Sequence, residues 1–466
     1  MPGYASWKTL YSAEATQLAE EGYPVELPAG TKSGEPLPFP AGIRVEPDEE
    51  PDGEHSWERA YHELWQIREH GIRPDYPYRE PDDLDGILAD AAPVPRLAQL
   101  TDPEYEDRVR GAWFGRAAGC VLGKPLEMSF DRRTIREYLE SVEAYPLDDW
   151  VPIRSDRLDR TLRLDCLPSS RGNVRFVQPD DDIHYSIMAL LLLEQKGIDF
   201  TPHDVGVCLL DNVPYHWLWA AHRQAYYHLV NLTDDRPAAE QVAEIPCKLN
   251  PWRESIDGQL KGDVWGYVTP SDPLAGAPLA HRHMALCLTK NGIYGGMFVA
   301  GCVSAALSQD PTIDTILDGG LAVIPRQSRL AEMVGLVRRW YTESGDWMAV
   351  SDQIESRWGH LYFAATVNNI AMVVLALLRG EMDYSRSITT AVMLGIDVDC
   401  NAATVGSIVG AAVGYDRLDA RWVDPLHDTV KTAVAGFGEG TLSDLVGRTI
   451  ALRQPESINL LRDLVV

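Results

Sequence analysis

Three carboxylates in succession, Asp180, Asp181 and Asp182, precede a helical apolar run, and far downstream Asp397 and Asp399 precede another. Neighbouring ionised carboxylates repel, so a chain that gathers them at element ends needs a cation to offset the charge. One aspartate suffices to cap the helix that starts near Ile183, where free backbone N–H groups and the positive helix end favour a carboxylate. Three exceed that need, and hard oxygen donors from adjacent residues suit octahedral Mg2+. Taken alone, the first motif also fits a solvated acidic loop. In residues 395–414, GIDVDCNAATVGSIVGAAVG, the aspartates stand at i and i+2, which in an extended turn project to one side and can meet one metal or bridge two. Cys400 and Asn401 follow, and Gly406, Gly410 and Gly414, spaced by four, leave a groove for close helix approach. A third stretch, residues 108–127, RVRGAWFGRAAGCVLGKPLE, reads as a small-residue helix that turns through Lys124 and Pro125 to present Glu127. A carboxylate at such an exit can act as general acid or base, or position water.

The elements that must position these residues are helical. From Thr101 onward, residues 104–121, 183–194, 205–210, 281–288, 294–306, 328–341, 368–378, 388–394 and 402–413 carry helix-forming composition, and several runs are apolar all round. Alternating strand patterns are nearly absent, so the expected class is all-α, a large helical bundle with buried helices. Residues 1–100 differ: Pro and Gly punctuate 24–53 and the acid-rich segment 46–54 has little to bury. They are expected as an irregular extension before a catalytic domain at 101–466. One docking helix is expected at 56–70, with Ser56 as N-cap and Trp57, Tyr61, Leu64, Trp65 and Ile67 on one stripe, either as a brace or as a lid or oligomer contact. Residues 148–173 are expected as a long loop beside the first acidic cluster, functional or merely inserted.

Composition narrows the function. The 466 residues include 69 acidic and 42 basic side chains, and the net charge of −27 repels nucleic acid and anionic membrane. An anionic small substrate stays possible where metal or local Arg and Lys reverse the field. Seven scattered cysteines, never in C-x-x-C spacing, favour reduced thiols in the cytoplasm over disulfides or a zinc ribbon. No basic, apolar leader opens the sequence, and it lacks an apolar run of about 18 residues, so no membrane span is expected.

The three motifs, in this order and at these separations, resemble the ADP-ribosylglycohydrolase family, which includes dinitrogenase-reductase-activating glycohydrolases and J1 crystallins. The resemblance runs from about Thr101 to the C-terminus; residues 258–268 and 291–300 look like the middle portion of bacterial members. It implies an all-α fold around a binuclear Mg2+ centre. The family's Thr-Asp-Asp-Thr falls on Asp180, Asp181, Asp182 and Ile183, and its Asp-x-Asp-Thr on Asp397, Val398, Asp399 and Cys400. The resemblance thus makes Asp181, Asp182, Asp397 and Asp399 metal ligands, with Asp180 and Cys400 in the places of hydroxyl ligands. Glu127 aligns with a residue implicated in acid/base work and gating, a role that Asp182 could share.

Departures from the pattern are Ile183, Cys400, Cys120 where many members have aspartate, and His283 where similar sequences are often acidic. A thiol is a poor ligand for hard Mg2+, which weakens the second ion. Further candidates for substrate contact are His184, Asp263 on an expected turn after Gly262, and Tyr294 with Gly295 and Gly296; His360 is the other histidine near the motifs. The expected activity is Mg2+-dependent cleavage of the C1 bond of an ADP-ribosyl or related ribosyl group, on a small molecule or an ADP-ribosylated protein. The alternatives are an N-ribosyl hydrolase of a nucleoside-like or NAD-derived molecule, and a non-catalytic, crystallin-like relative.

Overall fold

Two helices with small residues along one face, Asp102–Gly123 and Val398–Val413, pack antiparallel at the centre of the fold. A Cβ added at Gly115 would lie 2.3 Å from the Gly406 carbonyl oxygen, and one at Gly119 2.1 Å from that of Ala402. The same contact continues from Gly111, opposite Gly410, to Gly123, where a Cβ would fall 2.4 Å from the Asp399 Cα. Both helices are almost wholly buried beyond their first turns, as apolar sequence all round requires.

The computed structural model describes residues 3, 5–40, 43, 50, 53–127, 131–155, 160–162 and 164–453. Among these the fold is all-α: 20 α-helices, with two short antiparallel ribbons, Arg154–Ser155 with Arg160–Thr161 and Thr429–Lys431 with Glu439–Thr441. No helix among the described residues is long and apolar enough to cross a membrane. Around the central pair stand Asp181–Lys196, Lys290–Ala306, Thr366–Gly380 and Tyr384–Met393, each buried along most of its length.

The expected helices coincide with observed ones to within a residue at Ser328 and Leu394, with one displaced. Instead of 281–288, the helix is Pro273–Met284: Asp272 accepts a hydrogen bond from the Ala275 N–H, and Pro273 at the first position starts the turn. The internal Pro278, which removes a helical hydrogen bond, masked this start in the sequence. The loop expected at 148–173 holds the first ribbon and the 3-10 segment Leu164–Ser169, and it does lie against the first acidic motif. The Ser169 hydroxyl and the Gln178 side chain are 2.9 Å apart, and the Cys166 thiol reaches the Lys124 carbonyl at 3.7 Å.

The first hundred residues are more regular than expected. Besides Glu54–Gln66, they form a helix over Trp7–Glu20, capped by Ser6, whose hydroxyl accepts from the Thr9 N–H. Ser56 is not an N-cap. Gly53 holds that position, and the Ser56 hydroxyl donates to the Glu50 carbonyl at 3.0 Å. Residues 46–49, 51 and 52 of the acid-rich segment lie outside the described residues. Trp57, Tyr61 and Leu64 are buried, so the stripe packs inward.

Buried ion pairs join this segment to the body. Arg253 donates to Glu14 at 2.9 and 3.0 Å and to Glu21 at 2.6 Å, and Arg329 binds Glu80 at 2.8 Å and Glu254 at 2.6 Å. Removing one partner from such a cluster leaves uncompensated buried charge. Arg253→Met is expected to lower stability by about 3–5 kcal/mol in urea denaturation and to speed proteolysis within residues 1–100. Gly406→Val, which drives a side chain into the Gly115 carbonyl, is expected to cost about 3 kcal/mol or abolish folding, read as soluble yield and melting temperature.

Candidate metal centre

Both acidic motifs sit at helix N-termini that the central pair brings to one place. Asp180 caps Asp181–Lys196, its Oδ1 accepting from the Asp182 N–H at 3.1 Å. The stretch before it is clamped by the second ribbon: Val177 donates to the Thr429 carbonyl at 2.8 Å and accepts from Lys431 at 3.0 Å. Asp397 precedes Val398–Val413 on a turn in which both Gly395 (φ +83°) and Ile396 (φ +62°) are left-handed. A β-branched residue there is strained, and the strain is held in place by the packing around Asp397. Downstream, Asn401 donates to the Asn369 side chain at 2.9 Å and accepts from Gln259 at 3.0 Å, fixing the first turn of this helix.

Ligand atoms of Asp182, Asp399 and Cys400 lie within 4.8 Å of one another, as do those of Glu127, Asp397 and Asp399, and those of Cys120, Asp180 and Asp182. Residues about two hundred positions apart in sequence therefore share one site. Asp181, half-buried at its edge, stands in the field of Asp180, Asp182 and Asp399 but outside these tight groups.

Two cations that the sequence reading did not single out shape the site. Arg116, wholly buried, donates to Asp182 Oδ1 at 2.9 Å, to the Asp182 carbonyl at 2.8 and 3.1 Å, to the Leu260 carbonyl at 3.0 Å and to Asp263 at 2.7 Å. Lys124 contacts Asp180 Oδ2 directly. Both signals were in the chain: an arginine inside a run of small residues, and a lysine at the helix exit before Glu127.

Burial pushes the Asp181, Asp182 and Asp397 carboxyls well above the ordinary range, reinforced by their carboxylate neighbours, and lifts Asp399 to about 6. Glu127 is raised well above its usual value by burial and then by Asp399, Asp180 and Asp397. Asp180 is the exception: burial opposes its charge, yet the Lys124 ammonium and the Asp182 amide hold it low. Three buried oxygens, Asp182 Oδ2, Asp397 Oδ1 and Asp399 Oδ1, have no hydrogen-bond partner. Orphaned carboxylate oxygens converging from two motifs fit a hard divalent cation. Cys120 and Cys400 fit it poorly, because burial drives both thiols well above their usual pKa.

The expected substrate contacts make bonds within the protein. Asp263 is not on an exposed turn; it opens the helix Asp263–Tyr267 in the interior as the second partner of Arg116. The Tyr294 hydroxyl donates to the Pro81 carbonyl, and a Cβ on Gly295 would fall 2.4 Å from Thr366 Cγ2, so both serve packing. His184 is near Asp180, but its Nε2 accepts from the Ala433 N–H at 3.0 Å and its ring meets Trp217 edge-on. Burial lowers it to about 4, which keeps it a neutral acceptor. His360 pairs with Glu20 at 2.8 Å, on the N-terminal helix, and His283 is buried edge-on against Trp265.

A family model described as ADP-ribosylglycohydrolase matches residues 101–456, and the chain belongs to that family. Membership supports a glycohydrolase, and the buried acidic groups could hold the metal on which such enzymes depend. A solved structure titled "ADP-ribosylglycohydrolase-related protein complex" is similar at 18% identity with a TM-score of 0.47, covering 75% of this chain and 98% of its own. No curated protein matches the chain.

Arg116 leaves a direct test of how the site is held. Arg116→Met strands Asp182 and Asp263 in the interior without a cation and is expected to cost about 3–5 kcal/mol in urea denaturation; a change near zero would show that Arg116 does not anchor Asp182.

Proposed function

We propose that the protein is a Mg2+-dependent glycohydrolase that cleaves the C1 bond of an ADP-ribosyl or related ribosyl group. The observation that carries this reading is the convergence of three partnerless buried carboxylate oxygens, from motifs far apart in sequence, beside Glu127. Asp182, Asp397 and Asp399 would hold the metal, with Asp181 at the edge of the cluster. When bound, it supplies a hard Lewis acid for ribose hydroxyls next to the anomeric carbon.

The chain's own groups supply the rest. Glu127, its carboxyl pushed well above the ordinary range by burial and by three carboxylates, holds its proton more tightly than a free glutamate. It can give that proton to the leaving group as the C1 bond breaks, and as a carboxylate it can take one from the water that adds to C1. Asp182, with Oδ1 held by Arg116, keeps Oδ2 free toward the site and could orient that water. The remaining carboxylates favour the positive charge that grows on the sugar ring in the transition state.

The substrate is a ribosyl conjugate, carried by a small molecule or by an ADP-ribosylated protein. A nucleoside-like or NAD-derived N-ribosyl substrate is the second reading, favoured by Ile183 and Cys400 in the places of hydroxyls. Seven cysteines without a disulfide among them, six of them buried, support a reducing, cytoplasmic setting. The test incubates the protein with ADP-ribosylated protein, ADP-ribose conjugates, NAD and nucleosides, with Mg2+ or with chelator, and follows the released base or sugar by mass. Metal-dependent release from one class is expected, and Glu127→Gln should lower kcat by about 100-fold or more. Full activity in chelator would overturn the metal requirement. No release from any substrate, with no Mg2+ uptake, would point to a crystallin-like relative.

A further inference from the structure

Lys124 follows directly on the central helix, at the start of the 3-10 turn Lys124–Leu126 that leads to Glu127. Its ammonium contacts Asp180 Oδ2, and its side chain is only 14% exposed. Asp180 Oδ1 is occupied by the Asp182 N–H. Both oxygens of Asp180 are thus committed to the protein, whereas Asp182, Asp397 and Asp399 each retain a buried oxygen with no partner.

The three clusters of ligand atoms divide in the same way. The cluster of Cys120, Asp180 and Asp182 already has a cation against it, because Lys124 stands on Asp180 and in the field of Cys120. The other two share Asp399 and hold the partnerless oxygens of Asp397 and Asp399, while Asp182 belongs to both sides, with Oδ1 on Arg116 and Oδ2 unpartnered. A fixed ammonium repels a divalent ion placed beside it and has already neutralised the carboxylate that would have bound one. Asp180 places a charge at this spot, and Lys124 offsets it from within the chain.

We propose that the Lys124 ammonium takes the place of one divalent ion, so that the centre loads a single divalent ion on Asp182, Asp397 and Asp399. The proposal rests on the metal-dependent reading above and concerns how many ions that site accepts. Lys124 is a positioning residue here: it withdraws Asp180 from coordination and leaves the ion to the side of the cluster that Glu127 shares.

The experiment titrates metal-free protein with Mn2+ and counts bound ions per chain, from the electron paramagnetic resonance signal of the free ion and from calorimetry. Wild type is expected to bind one. Lys124→Met is expected to bind two, because Cys120, Asp180 and Asp182 then face an unneutralised gap, and Lys124→Arg is expected to stay at one. Two ions in the wild type would overturn the proposal while leaving the metal-dependent reading intact. No uptake by the wild type would sink that reading itself. A Lys124→Met protein that melts like wild type and still binds one ion would also overturn the proposal, and should that variant fail to fold, the wild-type count decides.

Discussion

The site depends on how closely two helix backbones can approach. Where Asp102–Gly123 faces Val398–Val413, Gly111, Gly115 and Gly119 each meet a main-chain carbonyl at a distance that no Cβ could occupy. The two chains run antiparallel, so the last contact, Gly123 on Asp399, is also where one helix ends and the other begins. Lys124 and Glu127 must leave the first helix beside the aspartates that open the second. Bulkier residues at 115 or 119 would separate the helices and open the cluster of ligand atoms, although none of those residues touches a carboxylate.

Bringing carboxylates together in the interior creates an electrostatic problem that the fold solves only in part. Arg116 fixes Asp182 from below and is shared with Asp263, while Lys124 fixes Asp180 from the side. Beyond these, burial and mutual repulsion raise the pKa of Glu127, Asp181, Asp182, Asp397 and Asp399, so the cluster resists full ionisation without a bound cation. A structural salt-bridge network would satisfy its oxygens. This one leaves three unsatisfied, which sets it apart from such a network.

Much of this was legible in the chain. Consecutive aspartates before apolar runs, glycines spaced by four and the Lys-Pro-x-Glu exit are local signals, and local signals survive folding: the helices and the convergence of the two motifs follow from them. What was not legible depended on partners distant in sequence. Arg116 looks like an exposed interruption of a small-residue helix until Asp182 and Asp263 are placed around it. Asp263 after Gly262 looks like a turn, and only the interior position of Arg116 explains why it is buried. The Trp7–Glu20 helix has polar residues such as Glu14 on its buried face, which hides its amphipathic pattern; Arg253, far along the chain, makes that burial possible.

The segment of residues 291–296, NGIYGG, invited a reading as a sugar or base contact, and its surroundings explain what it binds instead. Asn291 donates to Glu80 at 2.8 Å, the Lys290 N–H donates to Asp82 at 2.7 Å, and the Tyr294 hydroxyl donates to the Pro81 carbonyl. The first turns of Lys290–Ala306 therefore recognise residues 80–82 of the same chain with the donors a ligand would otherwise use. Arg329 closes the arrangement by holding Glu80 and Glu254 together. Buried charge pairs of this kind add little net stability but reject misplaced partners, since a shifted segment would leave arginine or glutamate unpaired in the interior. The first hundred residues are thus held in one register against the family-matching region, and polar groups that look available for substrate in the sequence are spent on that register.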